Sequence, residues 1–465
     1  MPEKNPPYFF RSERAGRGWF VSGDSGPGLL LSGREYAAFS GGGRLPAPLR
    51  GRLAEAGLLR ERLDMEGQLA LLRARFLGGW SGPAVHIVSL TARCNCACRY
   101  CSASSPGAGR GRDMSAATAR AVTDFIFASG APRLLIEFQG GEPLLNFPAL
   151  KALVERAGRL AAKGGREVRF SVVTNLSLMD AEKFSFLKAN RVTVCTSLDG
   201  PADLHDANRV LKGGAHAAAA RWLPRLARAS ARDPRFEAPN AICTVTRRSL
   251  GRGREIVDEF LRLGLKRVQL GPLDPLGLAA GGSLGCSPEE FAAFYLEALD
   301  YMLELSARGR QVHEKAAKAF AERVLTGRGP RYHNLDLAMR LAYNWDGSVY
   351  GSDEARMLAN SGDEFFRLGS VRGDSFAELL GRPLARALLL SCFQGLAAPA
   401  CARCPYEPYC RVSPVYNYAA QGSFWGDKMT NERCRLFKAV YGGLLSRMGK
   451  PAKRRELLRW AELDA

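Results

Sequence analysis

No run of this 465-residue chain reaches the roughly 18 apolar residues that a membrane-spanning helix needs. Its first residues, MPEKNPPYFF, hold no apolar core of the kind a secretory signal carries. The expected location is therefore the cytoplasm, with no membrane partner. Acidic residues are scarce beside basic ones: 66 Lys and Arg against 46 Asp and Glu, so 66 − 46 = +20. That surplus favours acidic partners, such as an acidic peptide, a phosphorylated cofactor or nucleic acid. A compact basic and aromatic strip is missing, which speaks against nucleic acid. Internal repeats are missing too, beyond a rhythm of strands and helices. With 46% hydrophobic and 24% charged residues, global disorder and collagen-like repetition are excluded. The length suits roughly two to four domains. In a reducing compartment the 12 cysteines point to metal ligation or catalysis instead of disulfides.

Residues 1–80 read as a small separate module. Apolar stretches at Tyr8–Phe10, Trp19–Val21 and Leu29–Leu31 are broken by Gly-rich turns such as Gly23–Gly28. Helix-like stretches follow near Ser32–Phe39 and Pro46–Leu59. Strands followed by helices suit a winged-helix-like fold; an embellishment packed on the main domain is the alternative. From 81 to 285 the pattern is regular. β-Branched runs at Val85–Leu90, Leu134–Phe138, Val168–Thr174, Val192–Leu198, Ala241–Val245 and Val268–Leu273 alternate with helical stretches. Those stretches are Ser115–Ala128, Phe147–Ala162, Ala181–Ala189, His216–Ala231 and Arg254–Leu263. The alternation predicts an α/β fold with a parallel sheet, a partial (β/α)6 barrel. Its chemistry is expected at the C-terminal strand ends. Ser287-Pro288-Glu289-Glu290 is a capping box opening a strong helix, and residues 286–340 read as linking helices. Residues 341–440 are irregular, aromatic and Cys-rich. Residues 441–465 end in a basic helix, Lys450–Trp460, read as a solvated face.

The first strand runs into Thr91-Ala92-Arg93-Cys94-Asn95-Cys96-Ala97-Cys98-Arg99-Tyr100-Cys101. Cys94, Cys98 and Cys101 can hold three corners of a [4Fe–4S] cluster and leave one iron open. A zinc site closed by Cys96 is the alternative. The next strands end Glu137-Phe138-Gln139-Gly140-Gly141-Glu142-Pro143, then Thr174-Asn175, then Ser197-Leu198-Asp199-Gly200-Pro201 with His205, Asp206 and Arg209 beyond. Two glycines let backbone approach a ligand closely. Together these motifs resemble the radical S-adenosylmethionine (SAM) superfamily. The resemblance implies that the open iron chelates SAM and that an electron from the cluster cleaves it to a 5′-deoxyadenosyl radical. It implies that Gly140, Gly141 and Glu142 seat the methionine head. Asn175, Ser197 and Asp199 would touch ribose or substrate, Tyr100 would pack on the adenosine, and Arg209 would join the cofactor site. Leu176 stands where the family's T-N-G motif has its glycine.

A second group, Cys401, Cys404, Cys410 and Cys434, would also suit a zinc ribbon. The stretch resembles the SPASM domain of peptide-maturing radical SAM enzymes, which holds two auxiliary clusters. Here Ser352 and Pro414 stand where two ligands of the first are expected, and no cysteine lies between Cys286 and Cys392. The resemblance then implies one auxiliary [4Fe–4S] cluster on Cys401, Cys404, Cys410 and Cys434. Cys392 is an alternative ligand. Cys195, Cys243 and Cys286 read as core or spare thiols. Asp353, after the lost cysteine, is the candidate general base, with a surface or capping role as its plain alternative.

Three longer segments, 197–209, 351–369 and 409–422, resemble the B-type radical SAM maturase of His-Xaa-Ser repeat peptide systems. That implies a precursor peptide substrate, a second radical SAM maturase alongside, and an electron donor such as flavodoxin or ferredoxin. The N-terminal module would then add the peptide's leader as an extra strand. A sulfatase-type maturase, an RNA-modifying enzyme and a non-catalytic zinc scaffold are the competing functions.

Overall fold

The structure, a computed structural model, describes residues 7–23, 27–60, 63–66, 82–103, 112–327, 337, 339–410 and 412–463. Parts of the expected N-terminal module and of the linking segment lie outside the described residues, as do the centre of the Gly23–Gly28 turn and Arg411.

The chain opens with an antiparallel meander of β1 (Arg11–Ala15), β2 (Gly18–Ser22) and β3 (Leu29–Ser32), followed by helices Gly33–Ser40 and Ala47–Glu55. The first strand is not the apolar Tyr8–Phe10 but the polar Arg11–Ala15. Pairing with β2 selects it, and its Arg11 is buried against the Ala402 carbonyl. Ser32 caps the first helix, with Glu35 completing a capping box.

The main sheet begins with β4 (Val85–Ser89), and the two-residue β5 (Ala97–Cys98) lies in the loop after it. Then come β6 (Arg133–Gln139), β7 (Glu167–Val173) and β8 (Val192–Ser197). The two-residue β9 (Arg209–Val210) precedes β10 (Asn240–Val245), β11 (Arg267–Val268) and β12 (Leu270–Pro272). Six of these run parallel in the order β12-β10-β8-β7-β6-β4. Helices Ala116–Phe127, Phe147–Gly164, Ala181–Ala189, Ala215–Arg232 and Gly253–Arg262 fall between them. The expected parallel sheet is present, and its runs read as continuous apolar stretches because both faces are covered. The last run is the exception: Val268–Leu273 breaks into β11, which leaves the sheet to pair with β13 (His313–Glu314), and β12, which stays.

The sheet does not stop at six strands. β14 (Arg340–Tyr343) pairs parallel with β4, and β15 (Ser348–Tyr350) and β16 (Arg367–Ser370) continue it antiparallel. Part of the region read as irregular is thus built onto the barrel's first edge, giving a mixed nine-stranded sheet. Helix Pro288–Ala307, with its Ser287–Glu290 capping box, packs on helices Glu432–Met448, Gly253–Arg262 and Pro451–Ala461. The basic terminal helix is anchored by buried Leu457 and Trp460, and the Trp460 indole donates to Ser306 Oγ at 3.1 Å. No described helix is long and apolar enough to cross a membrane.

Candidate active site

The first cysteine loop is pinned at its start from two sides. Thr91 Oγ1 donates to Asp113 at 2.5 Å, and Arg93 holds the same carboxylate through Nε at 2.9 Å and Nη2 at 2.6 Å. On the other side stands the glycine turn after β6. Gly141 N–H donates to the Thr91 carbonyl and Glu142 N–H to the Arg93 carbonyl, both at 2.8 Å. Gly140 has φ +154°, and a Cβ there would lie 2.5 Å from the Thr91 oxygen. The two glycines serve close backbone approach, but first to the cysteine loop.

Asn95, inside the loop, accepts from Asn175 Nδ2 at 3.0 Å and donates to Ser177 Oγ at 2.8 Å. Asn175 N–H in turn donates to Glu142 at 2.8 Å. Glu142 is fully enclosed and also accepts from Thr174 Oγ1 at 2.7 Å and Leu144 N–H at 3.0 Å. Burial pushes its carboxyl up to about 7 against those hydrogen bonds. Leu176 adopts φ +64°, the left-handed region that explains a glycine in the related motif.

Behind the loop, β5 and β9 pair Cys98 with Arg209. Arg209 Nη1 lies 3.7 Å from Cys98 Sγ, and its guanidinium lies over the Tyr100 ring. Cys96 Sγ stands 3.6 Å from Cys98 Sγ. The Cys96 contact and the Arg209 charge lower the Cys98 thiol to about 6 against the opposing pull of burial, whereas burial raises Cys94 to about 12. Cys98 is therefore a readier thiolate than Cys94 or Cys96.

Asp199 is fully buried, accepting from Tyr100 Oη at 2.5 Å, Arg209 Nε at 3.2 Å, Asn208 Nδ2 at 3.3 Å and Thr244 N–H at 3.2 Å. Tyr100 has its hydroxyl on Asp199 and its ring under Arg209. These residues brace Cys98. Ser197 ends β8, half-buried, at the expected rim. A strap the sequence did not disclose covers the third cysteine: Leu278 N–H donates to the Cys101 carbonyl at 3.0 Å, and Gly277 has φ +57°. Its only signal was a glycine-rich stretch, which by itself reads as a turn.

The second group lies in the loop 401–410 and at the start of helix Glu432–Met448. Cys401, Cys404 and Cys410 each feel at least one other thiol of the group: Cys410, for example, is raised to about 12 by burial, with the charges of Cys434, Cys404 and Cys401 adding. Lys428 and Lys438 oppose that rise at Cys434. Among the described residues no three His, Cys, Asp or Glu are gathered about one point as a single ion needs. Four thiols with Lys428 and Lys438 beside them are a donor set that suits a zinc ion or a [4Fe–4S] cluster, in which each thiolate takes its own iron. The donor chemistry at Cys94, Cys98 and Cys101, three thiols on one braced loop, fits such a cluster.

Ser352 and Pro414, the replaced positions, do meet in space. With Cys392 they line one small apolar cavity of about 10 Å³ walled by Leu337, Ala355, Leu388 and Val415. Ser352 caps helix Asp353–Asn360 through Ala355 N–H at 3.2 Å, and Pro414 opens helix Pro414–Gln421. Asp353 is not a surface residue: it is 7% exposed and ion-paired to the fully buried Arg356 at 2.7 Å.

Asp353 also lines a chamber of about 700 Å³ inside the barrel, together with Glu137, Gln139, Ile242, Arg340 and Tyr416. Gln139 is the residue before Gly140, so the chamber reaches the turn that holds the cysteine loop. A smaller cavity of about 220 Å³ adjoins it through Asp274, Tyr416 and Arg433, beside the Gly281–Gly285 rim.

Residues 88–230 match the family model described as the radical SAM superfamily. The cysteine-type anaerobic sulfatase-maturating enzyme of Clostridium perfringens (strain 13 / Type A) is 25% identical over 333 residues, covering 68% of this chain and 85% of that protein. The solved structure of native anSMEcpe with bound AdoMet and Cp18Cys peptide superposes with a TM-score of 0.64 at 19% identity, over 80% of this chain and 99% of that one. Streptococcus suis SuiB bound to precursor peptide SuiA gives a TM-score of 0.55 at 11% identity, over 93% and 99%. At such identities the structural likeness is one of fold.

Proposed function

We propose, from the premise that residues 88–230 are a radical SAM domain, that this protein is a SAM-dependent enzyme that modifies a ribosomally made peptide. The observation that carries the reading is the braced Cys94–Cys98–Cys101 loop, held by the turn that follows Gln139, together with a chamber of about 700 Å³ that Gln139 lines and that is large enough for a substrate side chain. A [4Fe–4S] cluster on those thiolates supplies the electron that cleaves SAM to methionine and a 5′-deoxyadenosyl radical. This chain's residues do the rest. Arg209 and Asp199 hold Cys98, and Gly140, Gly141 and Glu142 offer backbone and carboxylate to an amino-acid head group. Asn175 and Ser197 line the rim, and Tyr100 stiffens the loop. Asp353, held by Arg356, accepts a proton from the bound peptide at its carboxylate oxygen. Cys401, Cys404, Cys410 and Cys434 take one auxiliary [4Fe–4S] cluster. The chain works in the cytoplasm with flavodoxin or ferredoxin as electron donor.

The peptide is of the His-Xaa-Ser repeat type, handled beside a second radical SAM maturase. Its leader adds to an edge of the β1–β3 meander. That meander is fixed to the auxiliary loop, since Ser22 Oγ donates to the Pro405 carbonyl at 2.9 Å and Phe20 stacks on Tyr406. A sulfatase-type reaction, oxidising Cys or Ser to an aldehyde, is the second reading; the 25% identity to the Clostridium perfringens sulfatase-maturating enzyme favours it. Anaerobic incubation with a His-Xaa-Ser repeat precursor peptide, SAM and dithionite separates the two. Tandem mass spectrometry should find a modified precursor without an aldehyde, and a hydrazide-trapped aldehyde on a sulfatase peptide would favour the second. Metal analysis showing zinc in place of iron and sulfide would sink both.

A further inference from the structure

We infer that Glu137 is a specificity-determining residue that recognises a cationic or N–H-donating side chain of the substrate. The inference rests on the reading of the chamber as the substrate site. β6 ends Glu137-Phe138-Gln139, and the strand pleat sends alternate residues to opposite faces. Phe138 is fully buried on the helix side, while Glu137 and Gln139 face the chamber. Between Leu134 and Phe138 the strand is otherwise apolar, so its one glutamate stands out on the chamber face.

Its bonding is incomplete in a specific way. Glu137 accepts from Gln139 Nε2 at 2.7 Å and from Ser171 Oγ at 3.2 Å, both neutral donors. Two other chamber charges, Arg433 and Asp353, have a partner of opposite sign, while Glu314 accepts from Tyr295 and the Ala317 N–H. Arg433 meets Asp274 at 2.5 Å, and Asp353 meets Arg356. Lys315, on the same wall, donates to Gln269 at 3.1 Å. Glu137 has no cation among the described residues. A half-buried carboxylate beside neutral donors is stabilised most by a charged N–H donor, whose hydrogen bond is about twice as strong as a neutral one. Glu137 stands three residues before Gly140, so a side chain seated on it lies at the cysteine-loop end of the chamber.

The test is calorimetric, on anaerobically reconstituted holoenzyme with SAM. n-Butylamine, 4-methylimidazole, n-butanol and n-butyrate are titrated as side-chain probes. The amine and the imidazole should bind at least tenfold more tightly than n-butanol, and butyrate most weakly. Glu137→Gln should lose about tenfold in amine affinity, about 1.4 kcal/mol. Glu167→Gln, an exposed change on the next strand, should not. Equal binding of amine and alcohol, tighter binding of butyrate, or unchanged amine binding in Glu137→Gln would overturn the assignment. If Glu137→Gln melts early, the probe ranking in the parent protein decides alone. Release of 5′-deoxyadenosine by the same preparation is scored separately. Its absence removes the proposed reaction, whereas a wrong probe ranking removes only the role of Glu137.

Discussion

Replacing Gly141 by Ala should pull apart the two loops that make the site. An added Cβ would lie 2.1 Å from the Arg93 carbonyl oxygen, 2.5 Å from its carbon and 3.0 Å from the Ala92 oxygen. All three are backbone atoms, so no rotamer change relieves the contact. The turn must retreat, and the hydrogen bonds from Gly141 to Thr91 and from Glu142 to Arg93 go with it. Each such bond contributes about 1 kcal/mol, and a buried partner left unpaired costs about 1–3 kcal/mol. The expected loss is therefore about 2–5 kcal/mol. Gly158, inside helix Phe147–Gly164, has open space around it. Gly158→Ala should gain about 0.5–1 kcal/mol from helix propensity alone. Denaturant unfolding of the apo protein measures both changes, and iron and sulfide per chain after anaerobic reconstitution measure the consequence. Gly141→Ala should be less stable and take up less iron, with Gly158→Ala unimpaired. A Gly141→Ala protein with parental stability and iron would show that the loop pinning is irrelevant.

The strap over Cys101 offers a second comparison. A Cβ on Gly277 would lie 2.5 Å from the Cys101 and Ser102 oxygens, whereas Gly281, also left-handed at φ +73°, has nothing within 4 Å. Both alanines carry about 1–2 kcal/mol of backbone strain, but only Gly277→Ala should alter the electron paramagnetic resonance spectrum of the reduced protein; identical spectra would remove the strap's role. A third prediction concerns pH. The Glu142 carboxyl is raised to about 7 by burial, and its ionised form is the better acceptor for the N–H groups of the SAM amino group. Binding therefore releases a proton below that value, and SAM affinity should rise as pH increases from about 6 to about 8. A flat or inverted calorimetric profile would take Glu142 out of the SAM seat.

How much of this was legible in the sequence depends on range. Five of the six parallel strands could be read because each is a largely apolar run of five to seven residues, and helix Ala181–Ala189 falls where its pattern placed it; β12 keeps only three residues of its expected run. β14–β16 could not, because three- and four-residue strands gain their identity from pairing: β14 with the far-off β4, then β15 with β14 and β16 with β15. The cysteine loop and the glycine turn were readable as motifs, but their mutual grip was not, since motif spacing says nothing of which backbone atoms meet. Asp199 shows the same gap: the motif placed it at a strand end, and only the fold turns it inward to Tyr100 and Arg209. Leu176 marks a local conflict settled by packing. A left-handed leucine costs about 1–2 kcal/mol. Burying its whole side chain returns about 1.5–3 kcal/mol, and it is fully buried.

The central claim is that Cys98, braced by Arg209, belongs to a three-thiolate centre that reduces SAM. The most direct measurement compares 5′-deoxyadenosine formation by the parent and by Cys98→Ala, both reconstituted without oxygen and supplied with SAM and dithionite. The parent should release 5′-deoxyadenosine and methionine, and the variant neither. Release at the parental rate by Cys98→Ala would contradict the account.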